Sequence, residues 1–211
     1  LNHRSAPVEV RERLAFPADT IGHALRGLVE KDGINEGVIV STCNRVEVCA
    51  LAGEGYKGAQ TIREFLSAYH GMPLPELSSY LYHHMEEEAV RHLFRVSSSL
   101  DSMVLGEPQI LGQVKDAYGY ACEFRSIGPV LDKFFTKAFS VAKRVRTETR
   151  VANSAVSVSY AAVELAKKIF GDLEGKTVML LGAGEMAELA AQHLLGNGVK
   201  NIMVANRTFE R

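Results

Sequence analysis

Apolar positions recur along this chain with two different periods, and the changes of period mark its elements. Between Asp19 and Glu30, Ile21, Leu25 and Leu28 share one face of a helix, with Asp19 placed as its N-cap. Gly37 to Val40 is a short apolar run and Val46 to Leu51 alternates, so the polar Ser41-Thr42-Cys43-Asn44-Arg45 between them reads as a tight turn joining two strands. Tyr56 to Tyr69 returns to helical spacing through Ile62, Phe65 and Leu66, and Met72-Pro73-Leu74-Pro75 interrupts it. Leu81-Tyr82-His83 reads as a short strand. Glu86 to Ser97 reads as a helix whose three leading glutamates suit its positive end.

From Ile110 onward the pattern is strongly helical: Ile110 to Cys122, Leu131 to Thr149 and Ala155 to Phe170. Gly171-Asp172-Leu173-Glu174-Gly175 punctuates it and reads as a boundary. Beyond it, Lys176 to Leu181 is a continuous β pattern, Gly182-Ala183-Gly184-Glu185-Met186-Ala187 follows at once, and Met186 to Leu195 is helical with Leu189, Leu194 and Leu195 inward. Asn201 to Ala205 is a second strand. The expected class is α/β: a small α+β, ferredoxin-like catalytic domain with connecting helices over 1–150, then the start of a Rossmann-type domain over 151–211.

The strand–turn–helix–strand context gives the glycines a physical role. They permit a tight turn and close approach of main-chain amides to a pyrophosphate, which the helix N-terminus then holds. The other reading is a glycine-rich turn that binds no nucleotide. NAD-specific folds carry an acidic residue at the end of the second strand; here Asn206-Arg207-Thr208 stands there. An arginine suits a 2′-phosphate and points to NADPH, unless Arg207 is a solvated loop residue.

Cys43 is the other chemical signal. Free cysteines usually behave as small buried hydrophobes, but this one stands in a polar turn, two residues from a guanidinium, where a thiolate nucleophile is expected. Thiolate and hydride donor together imply one economical reaction: attack on an activated acyl group, a thioester, then reduction to an aldehyde. No metal is called for, and Cys43, Cys49 and Cys122 have no metal-ligand spacing. Their odd number argues against a disulfide framework and for a cytoplasmic protein. Cys49 and Cys122 read as core residues. A net charge of −1 supplies no global attraction to nucleic acid or membrane, and no apolar run approaches a membrane span. The basic series Lys133, Lys137, Lys143, Arg144, Arg146 and Arg150 is either a solvated helix face or a contact for RNA phosphates.

Five collinear segments carry a resemblance: Asn2 to Val8, Ser41 to Arg45, the long run Leu100 to Gln113, Ser140 to Thr149, and Gly182 to Ala187. Together they resemble the glutamyl-tRNA reductase family along essentially the whole chain. The resemblance implies NADPH-dependent reduction of glutamyl-tRNA(Glu) to glutamate-1-semialdehyde, the first step of the C5 route to 5-aminolevulinate and tetrapyrroles. It implies Cys43 as nucleophile, His92 as a second catalytic residue with His84 behind it, and Thr42, Asn44, Arg45, Ser102, Glu107, Pro108, Gln109 and Gln113 as substrate contacts. Arg45, with its planar fork, is the expected partner of a carboxylate. Residue types alone also allow Glu107-Pro108-Gln109 to be simply a helix start. Ser99 stands where the family often has glycine, and Val46 where it usually has threonine. The resemblance also implies a C-terminal dimerisation domain that the chain lacks, a homodimer formed through it, and glutamate-1-semialdehyde aminomutase as receiver of the aldehyde. The shortened nucleotide domain is expected to hold NADPH poorly. Two competing readings are a thiol-dependent NADP aldehyde dehydrogenase on a free metabolite and a non-catalytic Rossmann-type RNA-binding module.

Overall fold

The computed structural model describes residues 1–149, 151 and 158–207. The chain divides into two compact units, Leu1–Asn153 and Ser154–Arg211. The turn at 171–175 lies inside the second unit, so it joins elements of one unit rather than two domains.

The first unit contains α1 (Val8–Arg13), α2 (Ile21–Val29), β1 (Ile34–Ser41), β2 (Val46–Ala52), α3 (Gly55–His70), α4 (Leu74–Ser78), α5 (Glu86–Ser97), α6 (Gln109–Glu123) and α7 (Pro129–Glu148). β1 and β2 pair antiparallel, with Val38 opposite Cys49 and Ser41 opposite Val46. Leu1 and Asn2 add a rung beyond β2: Asn2 bridges Arg45, and the Val46 amide donates to the Leu1 carbonyl at 3.1 Å.

The strand period of two sorts β1 between two cores. Ile39 joins Leu25, Leu28 and Phe65 on one side, while Val38 and Val40 join Val96, Val114 and Phe135 on the other. A strand covered on both faces reads as an unbroken apolar run, which is what 37–40 is. Glu36, buried at the start of that strand, accepts from the first amides of α7, Val130 at 3.1 Å and Leu131 at 2.7 Å. Its negative charge thereby meets the positive end of the helix.

Local expectations need correction at four places. Thr20, not Asp19, occupies the N-cap of α2; it makes no side-chain cap bond and donates to the Pro17 carbonyl instead. Leu81 to His83 joins no ladder, because Tyr82 turns inward to Glu47. Cys122 is exposed near the end of α6 rather than in a core. Leu195 is 57% exposed.

The second unit contains α8 (Val158–Phe170), β3 (Thr177–Leu181), α9 (Glu185–Gly196) and β4 (Asn201–Ala205). β3 and β4 are parallel, in register from Thr177 against Asn201 to Leu181 against Ala205. Val163, Leu173, Leu194 and Val199 form a small core beneath Val178, Leu180 and Ile202. Met179, Leu181 and Met203 remain exposed. Ala155, where the third long helical pattern begins, lies outside the described residues. Among the described residues, no helix is long and apolar enough to cross a membrane.

Candidate active site

The turn after β1 is built by Thr42. Its amide donates to the Arg45 carbonyl at 2.8 Å, and its hydroxyl oxygen accepts from the amides of Asn44 (3.2 Å) and Arg45 (3.1 Å). A hydroxyl that folds its own backbone into a turn leaves the residue after it outside, and Cys43 is exposed there. The His3 amide holds the Asn44 carbonyl at 2.8 Å, and the Arg11 guanidinium donates to the Cys43 carbonyl and, at 3.4 Å, to Asn44 Oδ1. Three separate chain segments therefore fix this turn.

Beside it runs a narrow cleft lined by Thr42, Asn44, Arg45, Ser102, Glu107 and Gln113, with Met103 and Ile110 as its apolar wall. Its free volume, about 10 Å³, is roughly that of one water. Six of the eight expected substrate contacts thus converge. Pro108 and Gln109 do not line the cleft: Pro108 is exposed at the N-cap of α6 and Gln109 opens the helix. They set the helix that carries Ile110 and Gln113 into the cleft.

Arg45 departs most from expectation. Its side chain is 1% exposed, and its guanidinium is committed to partners other than the thiol two residues away. The guanidinium instead meets Glu47 Oε1 at 2.6 Å, Asp101 Oδ2 at 3.4 Å and the Asp101 carbonyl. Glu47 accepts in turn from Tyr82 and lies 2.9 Å from His92 Nε2. Arg4 reaches the other oxygen of Asp101 at 3.2 Å. A buried charge is tolerable only when paired and hydrogen-bonded, and this chain of side chains meets that need. Burial alone would push the Glu47 carboxyl up, but the His92 bond, the Arg45 charge and the Tyr82 bond outweigh it and hold it at about 2.

His92, from α5, therefore stands on the cleft's supporting network rather than in its lining. His84 stacks on it with ring centroids 4.6 Å apart, and burial followed by the neighbouring His92 lowers its pKa. Glu47, Tyr82, Asp101 and Arg11 were not anticipated as site residues. Glu47 had a signal: residues two apart on a strand share a face, so it stands beside Arg45.

Two cleft atoms lack partners among the described residues, Arg45 Nε and Ser102 Oγ, and both are buried. Glu107 is buried, and that burial raises its carboxyl pKa against the lowering pull of Arg45. Although the Cys43 residue is exposed, partial burial of its thiol likewise pushes it up, Glu107 adds to the rise, and Arg11 opposes it. The expected thiolate-stabilising charge is thus Arg11 rather than Arg45, and it does not prevail in the free protein. Cys49, in β2, is pushed up to about 12 by burial and Glu47.

In the second unit, Gly182 follows β3 at φ 108°, and its amide donates to the Ala205 carbonyl at 2.7 Å. A Cβ added at Gly182 or Gly184 would meet only open space. Gly184 is the N-cap of α9, and the Ala187 amide donates to its carbonyl at 2.9 Å. A bare glycine turn that opens onto a helix N-terminus fits a pyrophosphate. Asn206 and the exposed Arg207 stand just past β4; Thr208 and Arg150 lie outside the described residues.

Residues 1–149 match the family model of the glutamyl-tRNAGlu reductase N-terminal domain. The chain belongs to the glutamyl-tRNA reductase family. Residues 164–211 match the shikimate/quinate 5-dehydrogenase family model. Glutamyl-tRNA reductase from Pelobacter propionicus is 62% identical over 211 residues, and that from Geobacter sulfurreducens 60%. All of this chain is covered in both, but 48% and 49% of those proteins, so it spans about half their length. A solved glutamyl-tRNA reductase from Methanopyrus kandleri is 40% identical with a TM-score of 0.63, covering 100% of this chain and 49% of that one. The membership agrees with the α/β class and with the collinear motifs of the glutamyl-tRNA reductase family.

Proposed function

We propose that the protein reduces glutamyl-tRNA(Glu) to glutamate-1-semialdehyde with NADPH and releases the tRNA, through a thioester on Cys43. The observation that carries this reading is the cleft beside an exposed thiol, with Arg45 Nε and Ser102 Oγ buried and unpartnered among the described residues. Buried donors left unpaired cost about 1–3 kcal/mol each, and a glutamyl group carries the oxygens to accept from them once the cleft, which has room for about one water, widens to admit it. Thr42, Asn44 and Gln113 complete the lining, and Pro108 and Gln109 hold it through α6.

The Cys43 sulfur attacks the ester carbonyl carbon, the carbon–oxygen bond to the ribose breaks, and the thiol proton ends on the departing hydroxyl. Glu107, whose burial keeps its carboxyl protonated to higher pH, is suited to carry that proton. His92 is held in one orientation by Glu47 and positions the acyl ester or assists the transfer. Gly182, Ala183, Gly184, Glu185, Met186 and Ala187 would hold the cofactor's pyrophosphate, and Asn206, Arg207 and Thr208 its 2′-phosphate. When bound, NADPH supplies the hydride that releases the acyl group as an aldehyde and frees the thiol.

We place this reaction in the cytoplasm, at the first step of the C5 route to tetrapyrroles. The full-length protein would be a homodimer through a C-terminal domain and pass its product to glutamate-1-semialdehyde aminomutase. The test supplies full-length protein with glutamyl-tRNA and NADPH, with Cys43→Ser and with ribonuclease. Semialdehyde is expected only from intact tRNA and the cysteine. Product from Cys43→Ser would overturn the mechanism, and indifference to ribonuclease would favour a free metabolite as substrate.

A further inference from the structure

A second cavity of the first unit, about 220 Å³, adjoins the cleft and has no role in the chemistry above. Three features define what it can take. Its walls are aromatic and aliphatic: Phe16, Ile21 and Tyr120, with Phe16 fixed by the rings of Tyr69 and His70 at 5.0 and 4.6 Å. Its polar side chains include Gln113 and Asp116, which make no hydrogen bond or ion pair with the described residues. Its floor is a strand edge. Gly37 turns its amide and carbonyl away from β2, onto Ser126 at 2.7 and 2.8 Å. The two-residue period of β1 turns the main-chain groups of Ser41, half-buried at the end of the strand and lining the cavity, the same way.

Flat apolar walls with a donor-and-acceptor edge are what an unstacked nucleobase requires. The Asp116 carboxylate disfavours a phosphate here and suits hydroxyl or amino donors of a nucleoside. Position adds to chemistry. Gln113 lines both cleft and cavity, and Ser41 of the cavity is followed directly by Thr42 of the cleft. An ester has two sides, so a cleft that takes the acyl group needs a neighbouring space for the ribose and base on the other side of the same carbonyl.

We propose that this cavity receives the 3′-terminal adenosine of the aminoacylated tRNA, with its base between Phe16, Ile21 and Tyr120 and its hydroxyl or amino groups on Asp116 and Gln113. The inference rests on the reading of the cleft as a glutamyl-ester site.

The test uses the full-length protein with two substrates, glutamyl-tRNA and glutamate α-methyl ester, the second carrying no nucleoside. The variants are Ala18→Trp, at an exposed position where a large ring fills the cavity, and Asp116→Ala, also exposed. The kcat/KM for glutamyl-tRNA, divided by that for the methyl ester, is expected to fall at least tenfold in Ala18→Trp and severalfold in Asp116→Ala. Adenosine 5′-monophosphate is expected to compete with glutamyl-tRNA in the unaltered protein and to lose this effect in Ala18→Trp. An unchanged ratio in both variants overturns the proposal. A raised KM for NADPH with the ester ratio unchanged also overturns it, by assigning the adenosine to the cofactor. If the unaltered protein turns over neither ester, the glutamyl-ester reading itself fails and this proposal falls with it.

Discussion

The two units each place a functional turn after a strand, but they build it from different material. The turn at Gly182 needs only contiguous chain: a strand, glycines free of side chains, and the first amides of α9. The turn at Cys43 is held by Arg11, His3 and Thr42, and its cleft rests on Arg4, Asp101, Arg45, Glu47, Tyr82 and His92. Main-chain amides at a helix N-terminus are supplied by the element itself. Paired buried charges must be brought from distant positions, and each needs the others in place. The first kind of site should weaken locally when altered, the second through its whole unit.

The largest effect is expected from Glu47→Ala. It leaves Arg45 buried without its closest charged partner, and breaking a buried pair costs about 3–5 kcal/mol. Denaturant unfolding should show that loss in the first unit, together with loss of turnover. The same residue gives the acid response. Its folded pKa of about 2 lies below its ordinary value of about 4.5. Its contribution is therefore complete above that ordinary value and is lost as the pH falls toward 2. A stability profile flat between pH 5 and 2 would break the comparison.

Next, Arg207→Ala should raise KM for NADPH roughly tenfold and leave that for NADH unchanged, because a hydrogen bond to a charged group contributes about 1.5–3 kcal/mol. Unfolding of the first unit should not respond. Equal effects on both nucleotides would return Arg207 to the role of a solvated loop residue.

Ser99→Ala should cost about 1 kcal/mol. Ser99 has φ 60°, in the left-handed region that favours glycine. Its hydroxyl offsets the strain by donating to the Glu107 carbonyl at 2.7 Å, and alanine keeps the strain while losing the bond. Ser99→Gly loses both, so its stability should stay within about 1 kcal/mol of the parent. Thermal melts of the two variants separate strain from hydrogen bond.

The smallest effects concern the thiol itself. Glu107→Gln removes a charge that raises the Cys43 pKa and should lower it; Arg11→Met removes one that opposes the rise and should raise it further. Alkylation rates followed against pH read both shifts. No shift in either variant would show that burial alone sets the thiol.

Much of this was legible in the chain. Helices α5, α6 and α7 and the four strands fall where hydrophobic period placed them, because burial of a stripe or face leaves its spacing in the sequence. The Ser41 to Arg45 and Leu100 to Gln113 motifs did mark the cleft, since all eight of its lining residues come from them. What failed was the partner of each charge. The family motif assigns the fork of Arg45 to a substrate carboxylate, whereas its guanidinium turns to Glu47 and Asp101; local pattern places Tyr82 in a strand, whereas its hydroxyl is directed at Glu47. Sequence by itself determined the longer helices, the paired strands, the glycine turn and the exposed cysteine, because these follow from local backbone geometry and the period of burial; the short helices α1 and α4 left no such signal. Only the tertiary structure decided which charges meet, which are buried and which atoms are left without partners, because Coulomb interaction and desolvation depend on distances between residues far apart in the chain.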